Sequence, residues 1–196
     1  MPRPANPDIR NRLLLSGGRV IHGSGFHGAG VQDIVAAAAV PKGSFYSYFD
    51  SKEAFAAEVV EAYWAAIEQR HGSVLYDARI KPLARIERMF ALLVEDQRAD
   101  QFRLGCLIGN LSLELSSASG EVRDALTRIL KRWEAMLGAC LDEARVRREL
   151  PAERAVEELA ALLIEAWEGA VLRSKVERSD AACQRFLDVT LKRLLS

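Results

Sequence analysis

Cysteine is scarce in this 196-residue chain: Cys106, Cys140 and Cys183 are its three thiols, and they lie far apart. An odd number at such spacing builds neither a disulfide framework nor a zinc knuckle, and the expected compartment is a reducing cytoplasm. Long apolar runs are missing as well. The longest, for example Leu159–Ile164 and Ile34–Val40, fall far short of the roughly 18 residues that cross a bilayer. The start of the chain shows no apolar core followed by a small-residue cleavage site, so neither a secretory leader nor a membrane partner is expected. No Pro/Gly-rich tract suggests disorder, and an apolar content of 49% suffices for one or two packed domains. The histidines His22, His27 and His71 lack the i,i+4 spacing of a helical metal pair and have no cysteine nearby. Neither S-x-x-K nor G-x-S-x-G occurs. No metal, no cofactor and no enzymatic activity are therefore expected.

Net charge is also absent. The 27 basic and 27 acidic residues cancel, but unevenly. Residues 1–52 carry six basic side chains (Arg3, Arg10, Arg12, Arg19, Lys42, Lys52) against three acidic ones (Asp8, Asp33, Asp50), and the rest of the chain is acidic by the same margin. A basic head on an acidic body is a weak sign of a polyanionic partner for the head.

What is present is helical period almost throughout. Ile9, Leu13, Leu14, Val20 and Ile21 mark a first helix over about 8–24, closed by Gly25-Phe26-His27-Gly28. A second spans 31–38 and is broken at Val40-Pro41. A short third, 42–48, has Phe45 and Phe49 as apolar anchors. Ser51 reads as the N-cap of a fourth helix that reaches about residue 72, with Glu53 in its first turn. Residues 74–81 form a loop, and Pro82 opens a fifth helix. A sixth covers 103–115, a seventh 121–148, an eighth 151–176, and Ser179 caps a ninth that ends near 194. The eighth is apolar on all sides from Leu159 to Ile164, and the ninth carries more than one apolar stripe. Such surplus surface is buried within the subunit or against a second copy; the reading taken is a homodimer through helices eight and nine.

Three short helices in the first 50 residues, the last two joined by Ala39-Val40-Pro41, fit a helix-turn-helix. The third alternates its anchors with Lys42, Ser44, Tyr46, Ser47 and Tyr48, whose ammonium, hydroxyl and phenol groups are of the kind that contact phosphates and base edges. Gly43 lets a nucleic-acid backbone come close. Lys52 stands at a helix N-terminus, where free N–H groups and the dipole favour an anion. Gly23-Ser24-Gly25-Phe26-His27-Gly28 fits the dinucleotide fingerprint G-x-G-x-x-G, but a helix rather than a strand precedes it, so no nucleotide site is expected.

Taken in order, Gly25-Phe26-His27-Gly28, Val31-Gln32-Asp33-Ile34, Val40 to Phe49, and Ser51-Lys52-Glu53-Ala54-Phe55 resemble the DNA-binding domain of TetR-family transcriptional regulators, over about residues 8–58. The remainder is similar in layout to that family's ligand-binding and dimerisation domain. The resemblance implies an all-α fold of about nine helices, with a DNA-binding domain over 1–52 and an effector-binding and dimerisation domain over 53–196. It further implies a homodimer on a palindromic operator, usually a repressor, released when a small molecule binds. By position it implies DNA contacts from Lys42, Ser44, Tyr46, Tyr48 and Lys52, with Gln32, Gly43 and Ser47 beside them. Two departures stand out. Ala29-Gly30 occupies the place where a Thr or Ser often opens the second helix, and Ala39 stands where the turn usually has Gly.

In the C-terminal part, Trp64, Phe90, Phe102, Trp133 and Trp167 each read singly as core filling. Together with Asn110 they are the candidate lining of the apolar effector pocket that the resemblance implies. Gly105-Cys106-Leu107-Ile108-Gly109-Asn110-Leu111 supports two readings. Glycines four apart allow close helix packing around an inert thiol. Alternatively this Gly-Cys-Leu, followed by Leu-Ser-Leu-Glu-Leu and with Lys175 late in the eighth helix, resembles the electrophile-sensing branch typified by the N-ethylmaleimide-responsive repressor. In that branch the cysteine reacts and a lysine lies close by. The reading taken is operator release by a small electrophile or oxidant at Cys106. The alternatives are a non-covalent apolar effector, a constitutive DNA-binding protein, and an enzyme on a helical scaffold.

Overall fold

The computed structural model describes residues 7–196; Arg3, counted in the basic head, lies outside them. Among the described residues there is no strand, and nine helices follow one another. They are α1 (residues 7–24), α2 (Val31–Ala37), α3 (Lys42–Ser47), α4 (Lys52–His71), α5 (Pro82–Ala99), α6 (Leu107–Leu115), α7 (Gly120–Val146), α8 (Val156–Glu177) and α9 (residues 181–195). None of them is long and apolar enough to cross a membrane.

Helix starts follow local chemistry. Ser51 Oγ accepts the Ala54 N–H at 2.9 Å, the expected cap of α4. Pro82 occupies the first turn of α5, where its missing N–H costs nothing. α2 has no side-chain oxygen before it; instead the Asp33 carboxylate reaches back and accepts the Gly30 N–H at 2.9 Å. That is the returning half of a capping box, made without the hydroxyl that usually accompanies it.

Four boundaries differ from the periodicity. α6 begins at Leu107 rather than near Arg103, because Gln101, Phe102 and Gly105 take φ of 53°, 55° and 72°. A right-handed helix cannot pass through left-handed residues. α8 begins at Val156, five residues after Pro151, which sits in a turn. Gly72–Tyr76 forms a 3₁₀ turn, so the loop before α5 is shorter than expected. α9 proper starts at Ala181 with Asp180 before it, and Ser179 does not cap it.

The chain packs as two compact units. The first comprises the described residues up to Ala65 together with Leu107–Ile129. Its core gathers Leu13, Ile21, Ile34, Val35, Phe45, Phe49 and Phe55. α1 comes in so close that a Cβ on Gly17 would meet Ile34 Cγ2 at 2.5 Å and Phe55 Cζ at 2.8 Å. The wide π turn Leu13–Gly17 lies at this contact. The second unit comprises Ala66–Cys106 and Leu130–Ser196. There the rings of Phe90, Trp167 and Phe186 pack mutually at 4.9–5.5 Å. Arg85 is buried, 2% exposed, and fully used: it donates to the Ile80 carbonyl at 2.7 Å and pairs with Glu143 at 2.6 Å. This grouping is by packing, whereas the boundary at residue 52 is by motif.

Two substitutions in the first unit should move stability in opposite directions. Ala39 joins α2 to α3 with φ 52°. Ala39→Gly should relieve the left-handed strain and stabilise by about 0.5–1 kcal/mol, the gain being reduced by the freer unfolded chain. Gly17→Ala should overpack the α1 contact and cost about 1–3 kcal/mol. Thermal denaturation of the two variants beside the parent checks both signs.

Candidate functional site

α3 is a 3₁₀ helix of six residues, too short to persist alone. An aromatic base holds it. Phe45 and Phe49 meet at 5.5 Å between ring centroids, and Phe55 of α4 meets them at 5.3 and 4.8 Å. With the anchors turned inward, Lys42, Gly43, Tyr46 and Ser47 face solvent, while Ser44 and Tyr48 are half-buried. Tyr46 is 64% exposed and its ring is braced edge-on by Phe45. Ser47 Oγ donates to the Gly43 carbonyl at 3.5 Å. The space where Gly43 would carry a side chain is open. Gln32 of α2 is exposed too. Lys52 opens α4 with Nζ 4.2 Å from the Phe26 ring centroid, a cation–π contact that fixes the ammonium at the helix start. The result is a set of ammonium, hydroxyl, phenol and amide groups on a rigid base, suited to phosphate oxygens and base edges.

The glycine fingerprint resolves as a helix end. Gly25 has φ 77° and donates its N–H to the Ile21 carbonyl at 2.9 Å, closing α1. No strand precedes it among the described residues, so the βαβ setting of a nucleotide site is missing. Glu114 of α6, read in the sequence only as part of Leu-Ser-Leu-Glu-Leu and given no role there, holds this turn: its carboxylate accepts the His27 N–H at 3.1 Å and lies against Gly25.

The three thiols, all in the second unit, differ in their surroundings. Cys140 donates to the Pro82 carbonyl at 3.2 Å, and burial pushes its thiol up to about 11. Cys183 shares a hydrogen bond with Ser174 at 3.2 Å, and burial raises it as well. Cys106, 7% exposed, follows the left-handed Gly105 and immediately precedes α6. It hydrogen-bonds to Glu168 of α8. Burial pushes the Glu168 carboxyl up to about 7, against the lowering effect of the Cys106 bond. Its Oε1 is shut off from solvent with no hydrogen-bond partner among the described residues.

Glu168 was not singled out in the sequence, where an acid beside Trp167 and Gly169 reads as a solvated position. The available signal was its spacing: Ile164 four residues before and Val171 three after are both buried, so the acid shares their side of the helix. Lys175 is half-buried on the same face of α8, two turns and about 10 Å along the axis from Glu168. Of the candidate pocket aromatics, Phe90 and Trp167 are engaged with each other and with Phe186. Phe102 and Trp133 are buried in the same unit, whereas Trp64 and the half-buried Asn110 belong to the first.

The Glu168 environment makes stability depend on pH. A carboxyl raised from 4.5 to about 7 in the folded protein binds its proton more tightly folded than unfolded. Stability is therefore full below the unfolded value and falls as pH rises through that window, by roughly 3 kcal/mol at most. Glu168→Gln, which mimics the neutral acid, should leave stability at pH 4 unchanged and raise it at pH 8. Denaturant titrations at the two pH values check this.

The family described as "Bacterial regulatory proteins, tetR family" matches residues 14–59, and "Tetracyclin repressor-like, C-terminal domain" matches residues 82–190. The chain is 39% identical over 191 residues to the HTH-type transcriptional repressor DhaR of Mycobacterium sp. (strain GP1), covering 97% of this chain and 94% of DhaR. The crystal structure of a regulatory protein TetR from Rhodobacter sphaeroides superposes with a TM-score of 0.87 at 32% identity, covering 94% of this chain and 97% of that one. The reduced form of Escherichia coli NemR, named an HTH-type transcriptional repressor, gives 0.81 at 32% identity, covering 95% and 96%. With the helix-turn-helix head, the matching C-terminal domain and relatives that are transcriptional regulators, the chain belongs to the tetR family of bacterial regulatory proteins and is a DNA-binding transcriptional regulator rather than an enzyme.

Proposed function

We propose that the chain is a dimeric repressor that grips a palindromic operator through α2, α3 and the start of α4, and releases it when a small electrophile or oxidant modifies Cys106. Lys42, Ser44, Tyr46, Tyr48 and Lys52 are its main DNA contacts, with Gln32, Gly43 and Ser47 at the margin. Repression is supported by the names of DhaR and NemR. The reading also places the protein in the cytoplasm, with its DNA.

One observation carries the covalent reading. Cys140 and Cys183 are tied to a carbonyl and a hydroxyl, whereas Cys106 is hydrogen-bonded to an acid, immediately before α6. At the other end of α6, Glu114 holds the turn that leads into α2. Cys106 immediately precedes α6 in the chain, and α6 is taken as the element that responds to its modification. Lys175, half-buried on the Glu168 face of α8 but two turns along it, is the candidate for the lysine of the electrophile-sensing branch. Phe102 and Trp133 are the buried aromatics of the second unit outside the Phe90–Trp167–Phe186 cluster, and they suit an apolar lining; Trp64 and Asn110 belong to the first unit.

Dimerisation is assigned to α8 and α9. Leu162, Leu172 and Val176 of α8 and Val189 of α9 are exposed although large and apolar. Gly169 lies on the same face of α8 as Leu162, Leu172 and Val176, with open space on its outer side. Large apolar groups around a glycine let two helices approach closely.

Three outcomes test the proposal. With an operator selected from a random DNA pool, Tyr46→Phe and Lys52→Ala should each cost about 1 kcal/mol of binding, and Lys52→Ala should also lower the salt slope by about one. Unchanged affinity and slope in both would remove these contacts. Sedimentation should give twice the 21.7 kDa chain mass. Gly169→Gln should shift the protein towards monomer even though it adds helix propensity, and a parent that sediments as a monomer while binding operator specifically overturns the interface. Finally, limited maleimide or hypochlorite treatment should modify Cys106 first and weaken operator binding, and Cys106→Ser should resist. If Cys106 stays unmodified, or Cys106→Ser loses operator just as readily on treatment, the covalent reading is wrong and a non-covalent apolar effector takes its place.

A further inference from the structure

We infer that Glu168 is the acid–base partner of Cys106, and that the pair forms a modification site for uncharged carbon electrophiles. The inference rests on the covalent reading above and deepens it. It stands on two features of the geometry. The Cys106 thiol is hydrogen-bonded to the Glu168 carboxyl, so the proton that must leave sulfur has an acceptor in place. Glu168 Oε1 is buried and without a partner among the described residues, a state native proteins rarely leave unanswered. A donor group on an incoming molecule, such as an amide N–H beside the reacting carbon, would satisfy it.

Ionisation sets the chemistry. Burial and the Cys106 bond are the influences on the Glu168 carboxyl. Glu165, three residues earlier, and Lys175, seven later, share its helix, and Cys106 faces it from another element. With its titration moved up to about 7, Glu168 is a carboxylate in an appreciable fraction of molecules at neutral pH and can take the proton. A carboxylate in a buried site also repels an anionic reagent, which favours uncharged ones.

The step balances without an oxidant or reductant. Glu168 carboxylate removes the Sγ proton as the sulfur electron pair forms an S–C bond. With an alkyl halide the carbon–halogen bond breaks, the halide leaves with its electron pair, and the proton passes from Glu168 to water. With an electron-poor alkene the π pair moves to the α-carbon and carbonyl oxygen, and Glu168 returns the proton to the α-carbon. Either way Glu168 ends as the carboxylate it began as.

The experiment follows alkylation of Cys106 in the full-length protein by peptide mass mapping, using iodoacetamide and its anionic counterpart iodoacetate between about pH 5.5 and pH 8.5. In the parent, the iodoacetamide rate should rise through a step near neutral pH. Glu168→Gln should lose that step, reacting about tenfold more slowly at pH 7.5 yet equally at pH 5.5, since an intact general base contributes at least this much. The parent should also react more slowly in D₂O, because the proton is in flight. It should prefer iodoacetamide over iodoacetate by more than the urea-unfolded chain does. Should Glu168→Gln fail to fold, the parent's pH step and isotope effect decide alone. If Cys106 reacts with one pH profile in both proteins and no isotope effect, Glu168 has no such role while the covalent reading stands. If Cys106 is inert in the folded parent at every pH, the covalent reading falls and this inference with it.

Discussion

The DNA-binding face depends on the packing of Phe45 and Phe49 against Phe55. Six residues of 3₁₀ helix have almost no stability of their own, because so short a helix fixes its dihedrals for few hydrogen bonds. Burying three phenylalanines supplies on the order of 5 kcal/mol at that spot, and it decides which side of α3 points out. Phe55 belongs to α4, so the recognition segment is seated on α4 rather than on its own backbone. Gly17 extends the constraint: α1 closes on Ile34 and Phe55 with no space for a methyl group. The donors on the outer surface are thus placed by an apolar cluster that touches no DNA, and a displacement of the start of α4 would carry α3 with it.

The head was legible in the sequence because its determinants are local. A serine cap, a proline break, two phenylalanines four apart and an intervening row of donors all act within a few residues. Where the reading fell short, the cause was either backbone conformation or tertiary contact. Gln101 and Phe102 are ordinary residues that happen to be left-handed, so nothing in their side chains marks the late start of α6. Glu114 and Glu168 are acids on helices, indistinguishable by composition from solvated ones. What sets them apart is a turn or thiol brought to them from 87 and 62 residues away, and helical period does not encode that. For Glu168 the buried Ile164 and Val171 gave a partial signal; for Glu114, an intermediate position on a short helix, there was none.

The second unit shows how environment divides one side-chain type into two roles. The Glu143 carboxyl is held below its ordinary range by the Arg85 guanidinium, which is buried and bonded to it. Glu168 is driven the other way because desolvation by burial outweighs the lowering effect of its Cys106 bond. The first arrangement is a fixed ionic clamp: Arg85 also donates to Ile80 and Leu75, tying the turn before α5 to α7. Removing Glu143 would strand a buried cation, so that clamp resists change. The second can gain or lose a proton near neutrality. A rigid frame beside a group poised to change state is what a sensor needs, since the change is then confined to the responsive place.

The size of the coupling matters more than its route. α6 has nine residues, about 13 Å of helix, short enough to move as one body. It begins beside the thiol in the chain and ends at the carboxylate that accepts the His27 N–H. That bond is exposed and single, worth about 1–1.5 kcal/mol as a charge-assisted contact. A repressor that gave up its operator for so small a change would be poorly off in either state if this bond were the whole switch, because a shift from mostly bound to mostly free needs about 5 kcal/mol. The Glu114 contact is therefore better read as the element that orients the α1–α2 turn. Under the proposed covalent reading, the larger part of the energy has to come from the adduct at Cys106. A bonded group of several heavy atoms, placed where the thiol is 7% exposed, must displace packed neighbours, and overpacking of this kind costs 1–3 kcal/mol for even a methylene or two. On this reading the switch works by steric expulsion at a buried thiol, and α6 sets where the displacement is delivered.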